Sequence, residues 1–95
     1  MANNNQIVLI GNVHNELKLE RKDEHSIMTV VIACPRYHGE VDYVTCKFWD
    51  RQAEILADYV RTGQLLSVTG SLRVESPESF YVNGSCFQML GKKPG

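Results

Sequence analysis

Residues 41–49 read Val41-Asp42-Tyr43-Val44-Thr45-Cys46-Lys47-Phe48-Trp49 and give way at once to a helix-like stretch, residues 51–60. A strand points alternate side chains to opposite faces. Tyr43, Thr45, Lys47 and Trp49 therefore share one face, and Val44, Cys46 and Phe48 the other. The second face is apolar and suits a core. The first sets two aromatic planes on either side of a cation, as expected of a surface that stacks unpaired nucleobases and holds the adjoining phosphates. Aromatic and β-branched residues also favour strands that bind nothing, so the alternation by itself fits a plain structural strand better than a binding face.

Before this stretch, residues 6–10 form a short apolar run that Gly11-Asn12 should end as a turn. Residues 17–22 alternate weakly and carry Lys18, Arg21 and Lys22, diluted by Glu16, Glu20, Asp23 and Glu24, which predicts a solvated hairpin turning at Asp23-Glu24-His25. Residues 26–34 are apolar on both faces and predict a central strand. Residues 35–40 form a loop with Tyr37 near its tip. After it, Asp50 is placed to cap a helix by accepting backbone N–H bonds. Ala53, Leu56, Ala57 and Val60 make the i, i+3, i+4, i+7 stripe that buries such a helix, and Gly63 offers a left-handed stop. Residues 65–75 and 80–90 predict two last strands around a Ser76-Pro77-Glu78-Ser79 turn, with Gly70 marking a bulge or bend.

The string is mostly β with one helix, placed between the third and fourth long strands. A five-stranded, partly open barrel with a helix across one end, the OB-fold, has this order and commonly binds oligonucleotides. An α+β sandwich with one helix fits the same string. The 95 residues suffice for one domain, residues 1–95, whose modest size makes oligomerisation a natural source of stability. No run approaches the roughly 20 apolar residues of a membrane span. The opening Met-Ala-Asn-Asn-Asn-Gln has neither a basic nor a long apolar signal region, so the expected compartment is the cytoplasm, or an organelle interior if the protein is encoded there.

Ten Lys and Arg face eleven Asp and Glu, with a pI near 6.3. Phosphate neutralisation supplies much of the affinity of most nucleic-acid binders, so this chain must segregate its charge, bind weakly or rely on stacking. Three widely spaced cysteines, Cys34, Cys46 and Cys86, give neither a disulfide framework nor a C-x-x-C site and read as small hydrophobes. His14, His25 and His38 lack metal-ligand spacing, so no metal or other cofactor is expected. Cys34 and His38 form a conceivable nucleophile–base pair, but no orienting or oxyanion group accompanies them, and no catalytic residue is assigned.

Taken in order, Ile7-Val8-Leu9-Ile10-Gly11-Asn12-Val13, the run from Tyr43 to Gly63 with Ala53-Glu54 and Asp58-Tyr59, Val68-Thr69-Gly70-Ser71-Leu72-Arg73 and Gln88-Met89-Leu90-Gly91 resemble the bacterial single-stranded DNA-binding protein family. The resemblance implies an OB domain that assembles as a homotetramer or dimer and coats single-stranded DNA by stacking bases on aromatics. By position it puts Tyr43 and Trp49 at two of the family's stacking sites and Tyr37 close to a third. Departures accompany it: Pro77 falls near a further aromatic site, Gln6 stands where the family commonly has a cation, and the long basic hairpin shrinks to residues 76–79. The extended linker and acidic tail that recruit replication and repair enzymes are also absent from the sequence. A smaller footprint and weaker binding are the expectation. The primosome accessory protein of replication restart shares this reduced architecture and is an alternative.

The expected interface is thus Tyr37, Tyr43 and Trp49 for stacking, with Lys47, Arg51, Arg36 and Arg73 near the backbone. In the last strand, Tyr81 and Phe87 should share a face that Phe80 opposes, and Tyr59 should anchor the helix. The leading expectation is non-catalytic binding of single-stranded DNA with little sequence preference. Its rival is an OB-type module that docks a replication or ribosomal protein, motivated by the acidic balance.

Overall fold

The computed structural model describes residues 4–91; the outermost residues of the expected single domain, 1–3 and 92–95, lie outside the described residues. The strands are β1 (Ile7–Val13), β2 (Glu20–Lys22), β3 (His25–Pro35), β4 (Val41–Trp49), β5 (Leu65–Ser76) and β6 (Ser79–Leu90). Helix α1 (Asp50–Tyr59) joins β4 to β5, and a 3-10 turn (Tyr37–Gly39) joins β3 to β4. Five strands close on themselves in the order β1-β5-β6-β4-β3 and back to β1, with β2 on the free edge of β3. All pairs are antiparallel except β4 with β6, parallel at Cys46–Val82 and Lys47–Asn83. This is the five-stranded OB barrel with one helix, and closure separates it from the open sandwich.

The core follows the alternation. Met28, Val30 and Ile32 of β3 face Phe48 and Cys46 of β4 inside the barrel, with Leu66, Val68 and Val82 closing the far wall. Ala53, Leu56 and Val60 seat α1 on this core. Tyr59, expected to anchor the helix, is exposed, and the buried side chains on the inner stripe are Ala53 and Leu56, with Val60 just past the helix end. Burial, and then the neighbouring Cys34, push the Cys46 thiol up to about 12, so it stays protonated and acts as the small hydrophobe expected. Burial, helped by Asp42, also raises the Cys34 thiol, which opposes the thiolate a nucleophile needs.

Four local expectations are corrected. Gly11-Asn12 does not end β1; Gly11 is buried inside it. A Cβ there would sit 2.9 Å from the Ala33 carbonyl carbon, so glycine lets β1 cross close to β3 and turn the barrel corner. Asp50 does not cap α1: its φ is +53°, and its carboxylate instead accepts from the Ser26 amide at 3.3 Å and meets His25 Nδ1 at 3.1 Å. It ties the helix start to the start of β3. Gly63, with φ +94°, is not the helix stop either; Val60 leaves the helix in extended conformation, and the Gly63 amide donates to the Val13 carbonyl at 2.8 Å. Finally, a bulge opposite Thr69 and Gly70 leaves Ser85 unpaired. The extra residue reverses the parity of β6, so Tyr81 faces outward while Phe87 packs on the core.

Candidate nucleic-acid interface

β4 presents Tyr43, Lys47 and Trp49 on the outside of the barrel, because its even-numbered neighbours Cys46 and Phe48 are fully buried. Tyr43 is 58% exposed and Trp49 38%. The two rings stand six positions apart, roughly 20 Å along a strand. Each of the three side chains is met by a residue from another strand or loop. The His14 ring lies 4.6 Å from that of Tyr43, tilted by 52°. Lys47 Nζ sits 4.3 Å above the Tyr81 ring, a cation–π contact that holds the ammonium over the sheet. The Trp49 Nε1–H donates to Asn83 Oδ1 at 2.9 Å. Both polar tips are fixed by neighbours. Rotamer freedom is spent in folding, so little remains to be lost on binding.

Of the other expected residues, Arg73 joins this face through its pairing opposite Tyr81. Arg51 is exposed in the first turn of α1, directly beyond Trp49. Tyr37 stands at the loop tip, 91% exposed, held there by the left-handed His38 (φ 67°) and Gly39 (φ 78°). Arg36 is engaged otherwise: it pairs with Glu40, and its Nε lies 3.1 Å from Asp42 Oδ1. Two carboxylates answer one guanidinium, so the loop offers little positive field. A cleft between β4 and the β5–β6 turn adds Glu78 and Phe80 beside Tyr43. Of the four expected cations, Lys47, Arg51 and Arg73 have no carboxylate paired with them among the described residues.

Sequence reasoning did not single out His14 or Asn83 and placed Tyr81 only on a face shared with Phe87. Each comes from a strand or loop distant in the chain, and nothing in local spacing announces a cross-strand neighbour. Among the described residues no group of three or more His, Cys, Asp or Glu is placed to hold a metal ion, and no helix is long and apolar enough to cross a membrane.

The arrangement has known counterparts. Residues 4–80 match the model of the "Single-strand binding protein family". Single-stranded DNA-binding protein 1 of Nostoc sp. is 29% identical over 75 residues, covering 76% of this chain and 63% of that protein. Single-stranded DNA-binding protein 4 of Streptococcus agalactiae is also 29% identical, over 104 residues that cover 94% of this chain and 75% of the relative. This chain thus spans less than two thirds of the Nostoc relative's length. Among solved structures, the second single-stranded DNA-binding protein of Mycobacterium smegmatis superposes with a TM-score of 0.79 at 18% identity, covering 90% of this chain and 87% of that one. The structural likeness supports the OB barrel, and the family model spans most of the chain: the protein belongs to the single-strand binding protein family.

Proposed function

We propose that this chain binds single-stranded DNA without catalysis and with little overall sequence preference, as one OB domain. The carrying observation is the outward-facing Tyr43–Lys47–Trp49 row, its two rings exposed and its lysine half-buried, backed by a buried strand face that fixes its spacing. In this reading Tyr43 and Trp49 stack bases and Tyr37 adds a third ring from the loop. Lys47, Arg51 and Arg73 lie along the phosphates, while Arg36 contributes less because Glu40 and Asp42 already hold it. Stacking tolerates any base because every base has a π-face. The protein has one tryptophan, so its fluorescence reports this site alone. Oligo-dT should quench it and shift the protein in a gel, and a tenfold excess of duplex should not compete. Unchanged fluorescence on saturation with oligo-dT, with no gel shift, would instead favour the protein-docking module.

The same proposal includes self-assembly. Val8 and Ile10 point outward from β1, 59% and 56% exposed, and form an apolar pair that a second copy would cover. Sedimentation should give a dimer or tetramer, and Val8→Lys with Ile10→Lys should yield monomers. A monomeric parent protein would remove this part. Replication or primosome proteins as further partners, and the bacterial cytoplasm or an organelle interior as the compartment, follow from the same assignment.

A further inference from the structure

The barrel carries a second cleft on the Trp49 side of the sheet, of about 590 Å3, where the start of the chain passes β5 and β6 over Gly70. Among the described residues its lining contains no charged group; every side chain there is an amide or a hydroxyl. Part of this polar surface is already satisfied within the fold. Asn5 exchanges two hydrogen bonds with the Leu72 backbone, at 2.8 and 3.1 Å, and the Ser85 hydroxyl donates to the Thr69 carbonyl at 3.0 Å. Among the described residues the side chains of Gln6, Thr69 and Ser71 have no such partner. Glycine forms the floor because a Cβ at position 70 would press on the Asn83 backbone, 2.9 Å from its carbonyl carbon.

Asn83 connects this cleft to the stacking face. It lines the cleft, and its Oδ1 accepts the Trp49 indole N–H at 2.9 Å. An indole nitrogen only donates, so the contact fixes which end of the amide is oxygen. The Nδ2 group remains, a donor with no acceptor among the described residues. A free asparagine reads adenine through both ends of its amide, accepting from N6 and donating to N7. With Oδ1 turned to the indole and one of its two lone pairs occupied, the amide presents Nδ2 as its free end, and donation is the contact it favours. Thymine and guanine meet a donor with a carbonyl oxygen, O4 or O6, whereas cytosine and adenine bring an amino group to the equivalent place. An uncharged lining also gives a phosphate no electrostatic reason to enter, so a base edge is the better occupant.

We propose that this cleft is a base-edge subsite beside Trp49 which favours keto bases over amino bases. It rests on Trp49 stacking a base as proposed above, and adds a modest bias at one nucleotide to binding that is otherwise indifferent to sequence. The indole has two tasks: its face carries the base, and its N–H sets the amide that reads the edge.

Oligomers of deoxyuridine and deoxycytidine of equal length test it, since the bases match in ring size and methylation and differ on the Watson–Crick edge. Wild-type protein should bind oligo-dU more tightly by about threefold to tenfold, the worth of one net hydrogen bond. Asn83→Ala should bring the dU/dC ratio to about one. Asn83→Asp is the sharper variant: its carboxylate still accepts the indole N–H but offers a second acceptor in place of the donor. Its added charge weakens both oligomers alike, so the ratio isolates the edge, and it should fall to one or below. A wild-type ratio near one overturns the subsite and leaves the stacking interface standing. A ratio lost in Asn83→Ala yet kept in Asn83→Asp also overturns it, by showing that Asn83 merely steadies the indole. Failure of the wild type to bind either oligomer removes the stacking interface and the subsite with it.

Discussion

Replacing Trp49 with alanine is expected to raise the dissociation constant for oligo-dT by about tenfold or more, while Lys47→Ala raises it only about threefold. Loss of one stacked base costs ~1–3 kcal/mol, which corresponds to the larger change. In the proposed interface Lys47, held over Tyr81, would contribute one phosphate contact, which salt screens where it does not screen the stack. The two variants should therefore separate in their salt dependence as well. Lys47→Ala should flatten the slope of log K against log salt by about 0.7, the value for one phosphate on a single strand. Trp49→Ala should leave that slope unaltered. The chain carries ten basic against eleven acidic residues, and two of those acids are spent on Arg36. Under the proposed function, affinity would then come largely from planar contact. Equal losses in the two variants, or a greater loss for Lys47→Ala in gel-shift titrations, would reverse the roles assigned to ring and cation.

The row that makes this prediction possible was legible because period-two alternation is a property of the strand itself. Nine consecutive residues declare which side is wet, and the structure keeps Cys46 and Phe48 fully buried beneath Lys47 and Trp49. The barrel was legible too, since turn residues and a single amphipathic helix leave few ways to bury five strands. Partners of the row were not legible. His14, Tyr81 and Asn83 reach it through register, and register depends on where bulges fall. One unpaired residue, Ser85, decides that Tyr81 looks outward under Lys47 and that Phe87 looks in. The Gly84-Ser85 pair was the available signal, small residues inside an otherwise regular strand. Gly11 shows the same ambiguity from the other side. A glycine before asparagine reads as a turn, yet here it serves close approach to Ala33. Asp50 fitted a helix cap by type and position, but competition from the Ser26 amide and His25 took its carboxylate elsewhere. Arg36 could have been foreseen, since Glu40 stands four residues on and Asp42 two beyond that.

Gly84 is where packing and the proposed binding face meet, and Gly84→Ala is expected to destabilise the fold by about 2 kcal/mol. A Cβ at this position would lie 2.7 Å from Cδ1 of Phe48 and closer still to Cε1 and Cζ. That ring has little room to yield. It is fully buried, Phe87 meets it edge-on at 5.4 Å between centroids, and it pairs across the strands with buried Met28. Gly84→Val should cost more, about 3 kcal/mol, a large part of the ~5–14 kcal/mol expected for a domain of this length. The cause can be isolated with a double-mutant cycle. Phe48→Leu removes the ring and is itself destabilising, but in that background Gly84→Ala should cost less than about 1 kcal/mol, because the methyl then enters space the ring has vacated. Urea denaturation of the four proteins gives the coupling directly; additive costs would mean that the glycine serves the backbone of the bulge rather than the ring. The distinction bears on function. Asn83 and Tyr81 hold the tips of Trp49 and Lys47 from the outer face of the same strand whose inner face Gly84 seats on Phe48. A β6 lifted off that ring would carry both contacts away with it, so Gly84→Ala should weaken the quenching of Trp49 by oligo-dT even under conditions where the protein remains folded.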